Sequence, residues 1–203
     1  MTRAATDERP VLGEAERLRA EFYGLLATLL SAPADQDLLD KLSALTGDES
    51  ALGQGIEQLA RLAASVPVAE ADREYNKLFI GLGRGEFLPY GSYYLTGFLN
   101  EKPLAQLRDH MAALGLARDP DVKEPEDHIA SLCETMAALI LGTHGAPLSL
   151  EDQHAFFNTH IAPWAGHFFS DLEAAKGAVL YAPVGTLGRV FMEIEFEAFR
   201  LEG

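Results

Sequence analysis

Apolar residues recur at helical spacing along almost the whole chain, and this periodicity is the strongest constraint on its fold. Five large apolar residues between Glu14 and Ser31 are spaced to lie on one face of a helix: Leu18, Phe22, Leu25, Leu26 and Leu29. Similar patterns follow at about 36–45, 52–65, 68–80, 103–114, 125–141, 149–161, from 163, and at 183–201. No stretch alternates apolar and polar residues as a strand would. We therefore predict an all-α, single-domain bundle of roughly 9–11 helices over residues 1–203.

Glycines and a proline interrupt the helical pattern between residues 81 and 91. Gly81, Gly83, Gly85, Pro89 and Gly91 fall within this short segment, and a helix cannot continue through such a density of glycine and proline. The segment predicts a glycine-rich hinge loop that joins two helical halves, 1–80 and 92–203. Because a long flexible connection permits domain swapping, we expect a monomer that can also form a domain-swapped dimer.

The chain is strongly acidic, with 16 Lys and Arg against 31 Asp and Glu, a formal net charge of -15 over 203 residues. Nucleic-acid binding needs clustered cations, so this charge argues against nucleic acid as a partner. The charge would attract a basic partner, or it only keeps the protein soluble, which is the interpretation that charge alone favours. The first ten residues lack the apolar stretch of a secretion signal, and no apolar run approaches the roughly 20 residues of a membrane helix. Cys133 is the sole cysteine. We expect a cytoplasmic protein without stable membrane insertion.

The residues that usually carry catalysis or hold cofactors do not form a recognisable pattern. The sequence has neither a His-Glu-x-x-His nor a Cys-x-x-Cys motif, so it predicts no metal and no other cofactor. Cys133 occupies an apolar position of a predicted helix, where a buried and unreactive thiol is expected. The Gly-x-Gly-x-Gly of residues 81–85 follows a helix and lacks the Lys-Ser/Thr pair of a phosphate-binding loop. We interpret it as a flexible loop.

Two segments contain residues that helix packing alone does not explain. The first, residues 87–94, reads Phe-Leu-Pro-Tyr-Gly-Ser-Tyr-Tyr, which is unusually aromatic for a loop of a soluble protein. Either this loop folds back and buries its aromatic side chains, or those side chains line a recognition surface. The residues leave both interpretations open.

The second segment is Glu124-Pro125-Glu126-Asp127-His128, at the start of the helix predicted from Pro125. Acidic side chains at a helix start interact with the helix dipole and bind free amides, which contributes roughly 0.3–1 kcal/mol each. That accounts for Glu126 and Asp127. It does not account for His128, which gains little at the positive end of a helix but could be held beside Asp127 as an oriented donor.

This second segment resembles the Glu-Pro-x-Asp-His signature of the TorD/DmsD family of redox-enzyme maturation proteins, which is related to the NarJ group. Further stretches are similar to the family in order and spacing. Residues 78–81 resemble its Leu-Phe-x-Gly, residues 89–93 its Pro-aromatic-Gly/Glu-Ser, and residues 160–164 its His-x-x-Pro-Trp. The resemblance covers about residues 74–197, whereas residues 1–72 match as helical pattern alone.

The resemblance implies a cytoplasmic chaperone and not an enzyme. Family members bind the twin-arginine signal peptide of a molybdopterin-containing oxidoreductase subunit and hold it back from export until the cofactor is inserted; some also contact the body of that enzyme. The positions that match the family's peptide-binding motifs are Pro89, Tyr90, Ser92, Pro125, Asp127 and His128. Of these, Asp127 and His128 match the signal-binding pair, Pro125 matches the helix start, and the other three match the far side of the groove.

A twin-arginine peptide offers two cations followed by an apolar run. The carboxylates of Glu124, Glu126 and Asp127 could pair with the guanidinium groups, while an aromatic groove could take the apolar run. Two other interpretations stay open: a small helical enzyme that uses His128 and Asp127 as an acid/base pair, and a structural assembly subunit that stays in a mature complex. The sequence does not identify the client oxidoreductase.

Overall fold

Helices make up nearly all of the regular structure in this computed structural model, which describes residues 12–81, 85–117, 123–143 and 145–202. Within these ranges there are ten α-helices and no strand, which confirms the predicted all-α, single-domain fold. The helices are α1 Glu14–Ser31, α2 Gln36–Ser43, α3 Ala51–Ala63, α4 Val68–Tyr75, α5 Gly91–Thr96, α6 Lys102–Ala113, α7 Ile129–Leu141, α8 Leu150–His160, α9 Ala165–Glu173 and α10 Tyr181–Glu202. A π-helical turn, Asn76–Ile80, continues α4. None of the described helices is both long enough and apolar enough to cross a membrane.

Local sequence explains where most helices begin and end. The bounds of α1 coincide with the predicted ones, since Pro33 follows the last turn. Polar side chains cap the starts of α2, α3 and α8: Asp35 accepts the N–H of a residue in α2 at 2.8 Å, and Ser50 and Ser149 do the same for α3 and α8 at 3.0 and 3.1 Å. Pro103 lies in the first turn of α6, where its missing N–H has no cost.

The core forms around two sets of close helix contacts. Helix α1 packs mainly against α7, and α10 packs against α9 and α3. The buried side chains form one cluster that includes residues from both sides of the glycine-rich segment, such as Leu26 of α1 and Met136 of α7. At Gly188 of α10, a Cβ atom would lie 2.1 Å from the ring of Phe169. Helices α9 and α10 can therefore approach this closely because residue 188 has no side chain.

A buried ion pair fixes α1 relative to α10. The Arg19 guanidinium binds both carboxylate oxygens of Glu195, at 2.7 and 2.8 Å, and also Gln153 of α8 at 3.1 Å. The hydroxyl of Tyr23 donates to the same carboxylate at 3.0 Å. Glu195 is almost fully buried, and a buried carboxylate is tolerated when it is paired and hydrogen-bonded in this way.

The structure corrects the predicted helix pattern at two points. Helix α7 begins at Ile129 and not at Pro125, because residues 125–128 form a turn and then pair with another loop. The short helix α5 was not predicted, since six residues are too few to show a clear periodicity. Of the predicted glycine-rich loop 81–91, Gly81 and residues 85–90 are not helical, as predicted, but Gly91 begins α5. Gly83 lies outside the described residues. The two-half organisation and the domain-swapped dimer stay predictions.

Candidate functional site

A groove of about 820 Å³ lies between α1, the end of α4 with its π-helical turn, and α7. Two loops form its rim. Four of the residues predicted from the sequence line this groove: Pro89, Tyr90, Glu124 and His128. The other four do not line it: Ser92, Pro125, Glu126 and Asp127. The structure thus separates the predicted residues into a set that faces the groove and a set that lies behind its rim.

Backbone pairing joins the two loops of the rim. Tyr90 and His128 form an isolated antiparallel β-bridge. Its two hydrogen bonds, both 2.9 Å long, run from the N–H of Gly91 to the carbonyl of Asp127 and from the N–H of Ile129 to the carbonyl of Pro89. Because both bonds join main-chain atoms, they fix the relative position of the two loops without any contribution from side chains.

The rim also packs against the third segment singled out in the sequence, residues 160–164. A Cβ atom at Gly91 would lie 3.0 Å from Nε1 of Trp164, so the loop approaches the indole as closely as a glycine allows. The indole N–H donates to the carbonyl of His160 at 2.8 Å, which fixes the ring in place. The segments 89–93, 124–128 and 160–164 therefore meet at one point of the fold.

Asp127 supports the rim from behind. Its Oδ2 atom accepts the N–H of Ser92 at 2.7 Å, and its side chain is 3% exposed. Ser92 is the second residue of α5, so Asp127 caps the start of α5. The prediction that Asp127 stabilises the start of its own following helix is wrong, because the free amides it reaches belong to a helix 35 positions earlier in the chain.

Glu126 and Pro125 also have structural environments that differ from the predicted ones. Both carboxylate oxygens of Glu126 bind the guanidinium of Arg108, at 2.8 to 3.1 Å, and this pair connects the loop to α6. The carbonyl of Pro125 accepts the N–H of His128 at 3.1 Å in a turn. Pro125 therefore does not set the start of α7, and Glu126 does not bind the free amides of that helix.

His128 is the N-cap residue of α7. Its Nδ1 atom accepts the N–H of Ala130 at 3.1 Å, so in the neutral ring the proton is on Nε2. Burial lowers the pKa of His128 to about 4, although the nearby Glu124 and Asp127 carboxylates oppose that change. The imidazole is therefore neutral near pH 7. It is oriented by the amide of Ala130, and not by Asp127 as the sequence suggested.

Tyr90 and Glu124 form the polar part of the rim that faces the groove. The hydroxyl of Tyr90 donates to the carboxylate of Glu124, and the Tyr90 ring meets the His128 ring edge to face at 5.1 Å. Burial, and then the bond to Glu124, raises the pKa of Tyr90. Further inside, Tyr75 donates its hydroxyl to the carbonyl of Leu30 at 3.2 Å, and burial raises the pKa of Tyr75 to about 12.

Both interpretations of the aromatic segment 87–94 apply, to different residues. The ring of Phe87 packs edge to face on Phe168 at 6.5 Å. The ring of Tyr94 lies 5.4 Å from that of Trp164, and its hydroxyl donates to Asp171 at 3.0 Å. These two side chains are structural. Pro89 and Tyr90, between them, line the groove instead.

Several groove residues were not predicted from the sequence. Helix α1 contributes Thr28 and Ser31, the π-helical turn contributes Asn76, and α7 contributes Ser131 and Glu134. The one available signal was the outer face of α1, where small residues recur at helical spacing. That signal does not indicate a site by itself, because small residues on a helix surface are common and their neighbours depend on tertiary packing.

The described residues give little support to metal or thiol chemistry. Within those ranges, no group of three or more His, Cys, Asp or Glu side chains is placed to hold a metal ion. His110 Nδ1 and His160 Nε2 lie 2.8 Å apart, and burial with the neighbouring imidazole lowers the pKa of His160 to about 4. Cys133 is buried, as predicted, and burial raises the pKa of its thiol.

Comparisons with known proteins agree with the resemblance seen in residues 124–128. Residues 46–170, more than half of the chain, match the family described as Nitrate reductase delta subunit. The chain is 29% identical over 195 residues to the chaperone protein TorD of Vibrio cholerae serotype O1, covering 86% of this chain and 89% of that protein. It is 29% identical over 175 residues to the chaperone protein TorD of Ferrimonas balearica, covering 77% and 81%. Its fold is similar to that of a redox enzyme maturation protein from Archaeoglobus fulgidus, with a TM-score of 0.58 and 23% identity over 92% of this chain and 99% of that one.

Proposed function

The chain belongs to the nitrate reductase delta subunit family, which includes NarJ and TorD, and from this premise we propose that it is a chaperone for a molybdopterin-containing oxidoreductase. It is not an enzyme. Its ligand is the twin-arginine signal peptide of the oxidoreductase subunit, and it acts in the cytoplasm before export. While the peptide is bound, the subunit stays available for insertion of its cofactor.

The charge of the groove is the observation that carries this proposal. Among the described residues that line it, Glu124 and Glu134 are carboxylates and none is Lys or Arg. His128 is neutral near pH 7, since burial lowers its pKa to about 4. The rest of the lining is apolar, aromatic or uncharged. A groove of this kind is complementary to a peptide that carries cations and an apolar run.

The predicted residues have two kinds of role in this proposal. Pro89, Tyr90, Glu124 and His128 contact the peptide, since they line the groove. Ser92, Pro125, Glu126 and Asp127 position those four, because they form the hydrogen bonds and the ion pair behind the rim. The enzyme interpretation requires a hydrogen bond between His128 and Asp127. Instead, His128 Nδ1 accepts the N–H of Ala130 and Asp127 Oδ2 accepts the N–H of Ser92.

The expected affinity is moderate. Burial of about three leucine-sized side chains of the peptide contributes roughly 5–8 kcal/mol, and ordering of the peptide removes a large part of that. Arginine–carboxylate pairs add to the remainder, so the dissociation constant should be micromolar to submicromolar. A chaperone that must release its client requires binding in this range.

Calorimetry with synthetic signal peptides tests the proposal. The full chain is titrated with a peptide that contains Arg-Arg followed by an apolar run, and with a matched peptide in which both arginines are replaced by glutamine. We expect micromolar or tighter binding of the first peptide and at least about tenfold weaker binding of the second. Equal affinity for the two peptides, or no binding of either, would contradict the proposal.

Substitutions then locate the site. Tyr90→Ala and His128→Ala should weaken peptide binding, whereas His167→Ala should not, because His167 is exposed and does not line the groove. Equal effects at Tyr90 and His167 would place the peptide elsewhere.

Copurification separates a chaperone from an assembly subunit: a chaperone is recovered with the precursor that retains its signal peptide, and an assembly subunit with the finished enzyme.

A further inference from the structure

Glu134 is the sole charged residue of α7, whose sequence is otherwise composed of apolar residues, Ser and Thr. Its side chain is exposed, and it lines the groove. The remaining exposed or half-exposed positions of the helix carry Ser, Thr, Ala or Leu. The single charge of this helix is therefore placed where the helix faces the groove.

The carboxylate of Glu134 differs from those of Glu124, Glu126 and Asp127, each of which accepts a hydrogen bond within the protein. Arg108 occupies both oxygens of Glu126, and a backbone amide binds Asp127. For Glu134, no hydrogen bond and no cation within 4 Å is found among the residues that the structure describes. Exposed acids of other helices often have a partner one turn away, as Asp37 has in Lys41.

Glu124 and Glu134 line the groove from two different elements. Glu124 lies in the loop that precedes α7, whereas Glu134 lies in the second turn of α7. With a rise of 1.5 Å per residue, Glu134 lies about 9 Å along α7 from the rim at residue 128.

We propose that Glu134 binds one of two consecutive guanidinium groups of the ligand, while Glu124 binds the other. This inference rests on the proposed function. Successive side chains of an extended peptide point in opposite directions, so two neighbouring arginines can reach two separate carboxylates that line one groove. A guanidinium suits this role better than an ammonium, because its fork donates to both oxygens of a carboxylate.

A matrix of variants and peptides tests the assignment by calorimetry at low salt. The chains are the wild type, Glu134→Gln, Glu124→Gln and the control Glu21→Gln. Glu21 is an exposed acid of α1 that does not line the groove, so its substitution changes the net charge equally. The peptides carry Arg-Arg, or glutamine in place of the first or of the second arginine.

We expect Glu134→Gln to weaken binding of the Arg-Arg peptide by about three- to tenfold, and Glu21→Gln by less than about twofold. With one of the single-arginine peptides the effect of Glu134→Gln should disappear, and with the other it should persist. Glu124→Gln should show the reverse pairing. The assignment would be overturned if Glu134→Gln and Glu21→Gln had equal effects on binding of the Arg-Arg peptide. It would also be overturned if Glu134→Gln still weakened the binding of both single-arginine peptides.

The two proposals fail in different ways in this matrix. If the wild type does not bind the Arg-Arg peptide, the proposed function is wrong. If the wild type binds it and Glu134→Gln binds it equally well, the function stands and the role of Glu134 is wrong. Circular dichroism of each variant checks the fold, which an isosteric substitution of an exposed side chain should leave unchanged.

Discussion

The Asp127 carboxylate accepts the backbone N–H of Ser92 at 2.7 Å, so the acidic segment holds the start of a helix that precedes it by 35 residues. The adjacent carbonyl of Asp127 accepts the N–H of Gly91 in the β-bridge. Two bonds from one residue therefore fix the loop that presents Tyr90 to the groove. In the proposed function, Asp127 would therefore act on the bound peptide through this loop and not by contact.

Asp127→Ala should lower the free energy of unfolding by about 1–3 kcal/mol, because it leaves the Ser92 amide without its acceptor. Asp127→Asn retains one acceptor oxygen and should recover a large part of both stability and peptide affinity. Urea denaturation and calorimetry measure the two effects. Asp109→Ala, at an exposed position of α6, serves as the control. Equal losses at residues 127 and 109 would remove the support for a positioning role.

Arg108 and Glu126 should be coupled energetically, since the guanidinium binds both oxygens of a carboxylate that is 9% exposed. In a double-mutant cycle of Arg108→Gln and Glu126→Gln we expect a coupling free energy of about 0.5–1.5 kcal/mol; solvent around the half-exposed arginine keeps it from being larger. The exposed pair Arg73–Glu70 is the matched control, with coupling near zero. A coupling at residues 108 and 126 no greater than in the control would contradict this prediction.

Stability should decrease as the pH falls from 6.5 towards 4. Burial lowers the pKa of His128 to about 4, below the value of about 6.5 in an unfolded chain. Between pH 6.5 and pH 4 the unfolded state therefore binds more protons than the folded state. The free energy of unfolding is highest above pH 6.5, where His128 is neutral in both states, and it decreases as the pH falls through this window. His160, whose pKa is also lowered to about 4, contributes in the same direction.

His128→Asn separates the contribution of this residue, because asparagine can cap α7 without titrating. Between pH 7 and pH 5 the variant should lose about 2 kcal/mol less stability than the wild type, measured by urea denaturation at each pH. His167→Asn, at an exposed position, should behave like the wild type. An unchanged pH dependence in His128→Asn would show that the imidazole is not buried as described.

Gly188→Ala should destabilise the packing of α9 on α10. Its new Cβ would lie 2.1 Å from the buried Phe169 ring, which must move at a cost of about 1–3 kcal/mol. Gly166→Ala in α9 is the control: no heavy atom lies within 4 Å of the new Cβ, so better helix propensity should stabilise by about 0.5–1 kcal/mol. Thermal melting compares the two variants, and changes of the same sign would contradict the described contact.

The elements that local sequence determines were predicted well. Helix α1 has the predicted bounds because its apolar spacing and the following Pro33 act within the segment itself. Ser149 caps α8 as predicted, because the residues that form the cap lie within three positions of one another. Fold class and most helix positions follow from interactions of this range.

The start of α7 and the composition of the groove depend on contacts that local sequence does not contain. Pro125 with its acidic neighbours is a strong local signal for a helix start, but residues 125–128 form a turn, and the backbone of residues 127–129 then pairs with residues 89–91, so α7 begins only at Ile129. The sequence predicts one role for Glu124 and Glu126 because both are acids near His128, yet Arg108, 18 positions before Glu126 in the chain, binds Glu126 and not Glu124. Glu134 belongs to no recognisable motif, so its place in the groove follows only from the packing of α7 against α1.

The β-bridge at the rim uses main-chain atoms of residues 89–91 and 127–129, so the two hydrogen bonds that pair the loops do not involve the side chains at positions 90 and 128. Residues that keep an extended backbone there can be exchanged while the two loops stay in register. Because both positions line the groove, such substitutions would change the polarity and shape of the groove while the backbone pairing of the two loops is kept. If the groove binds a peptide as proposed, an engineered variant with substitutions at these two positions should have a different peptide preference.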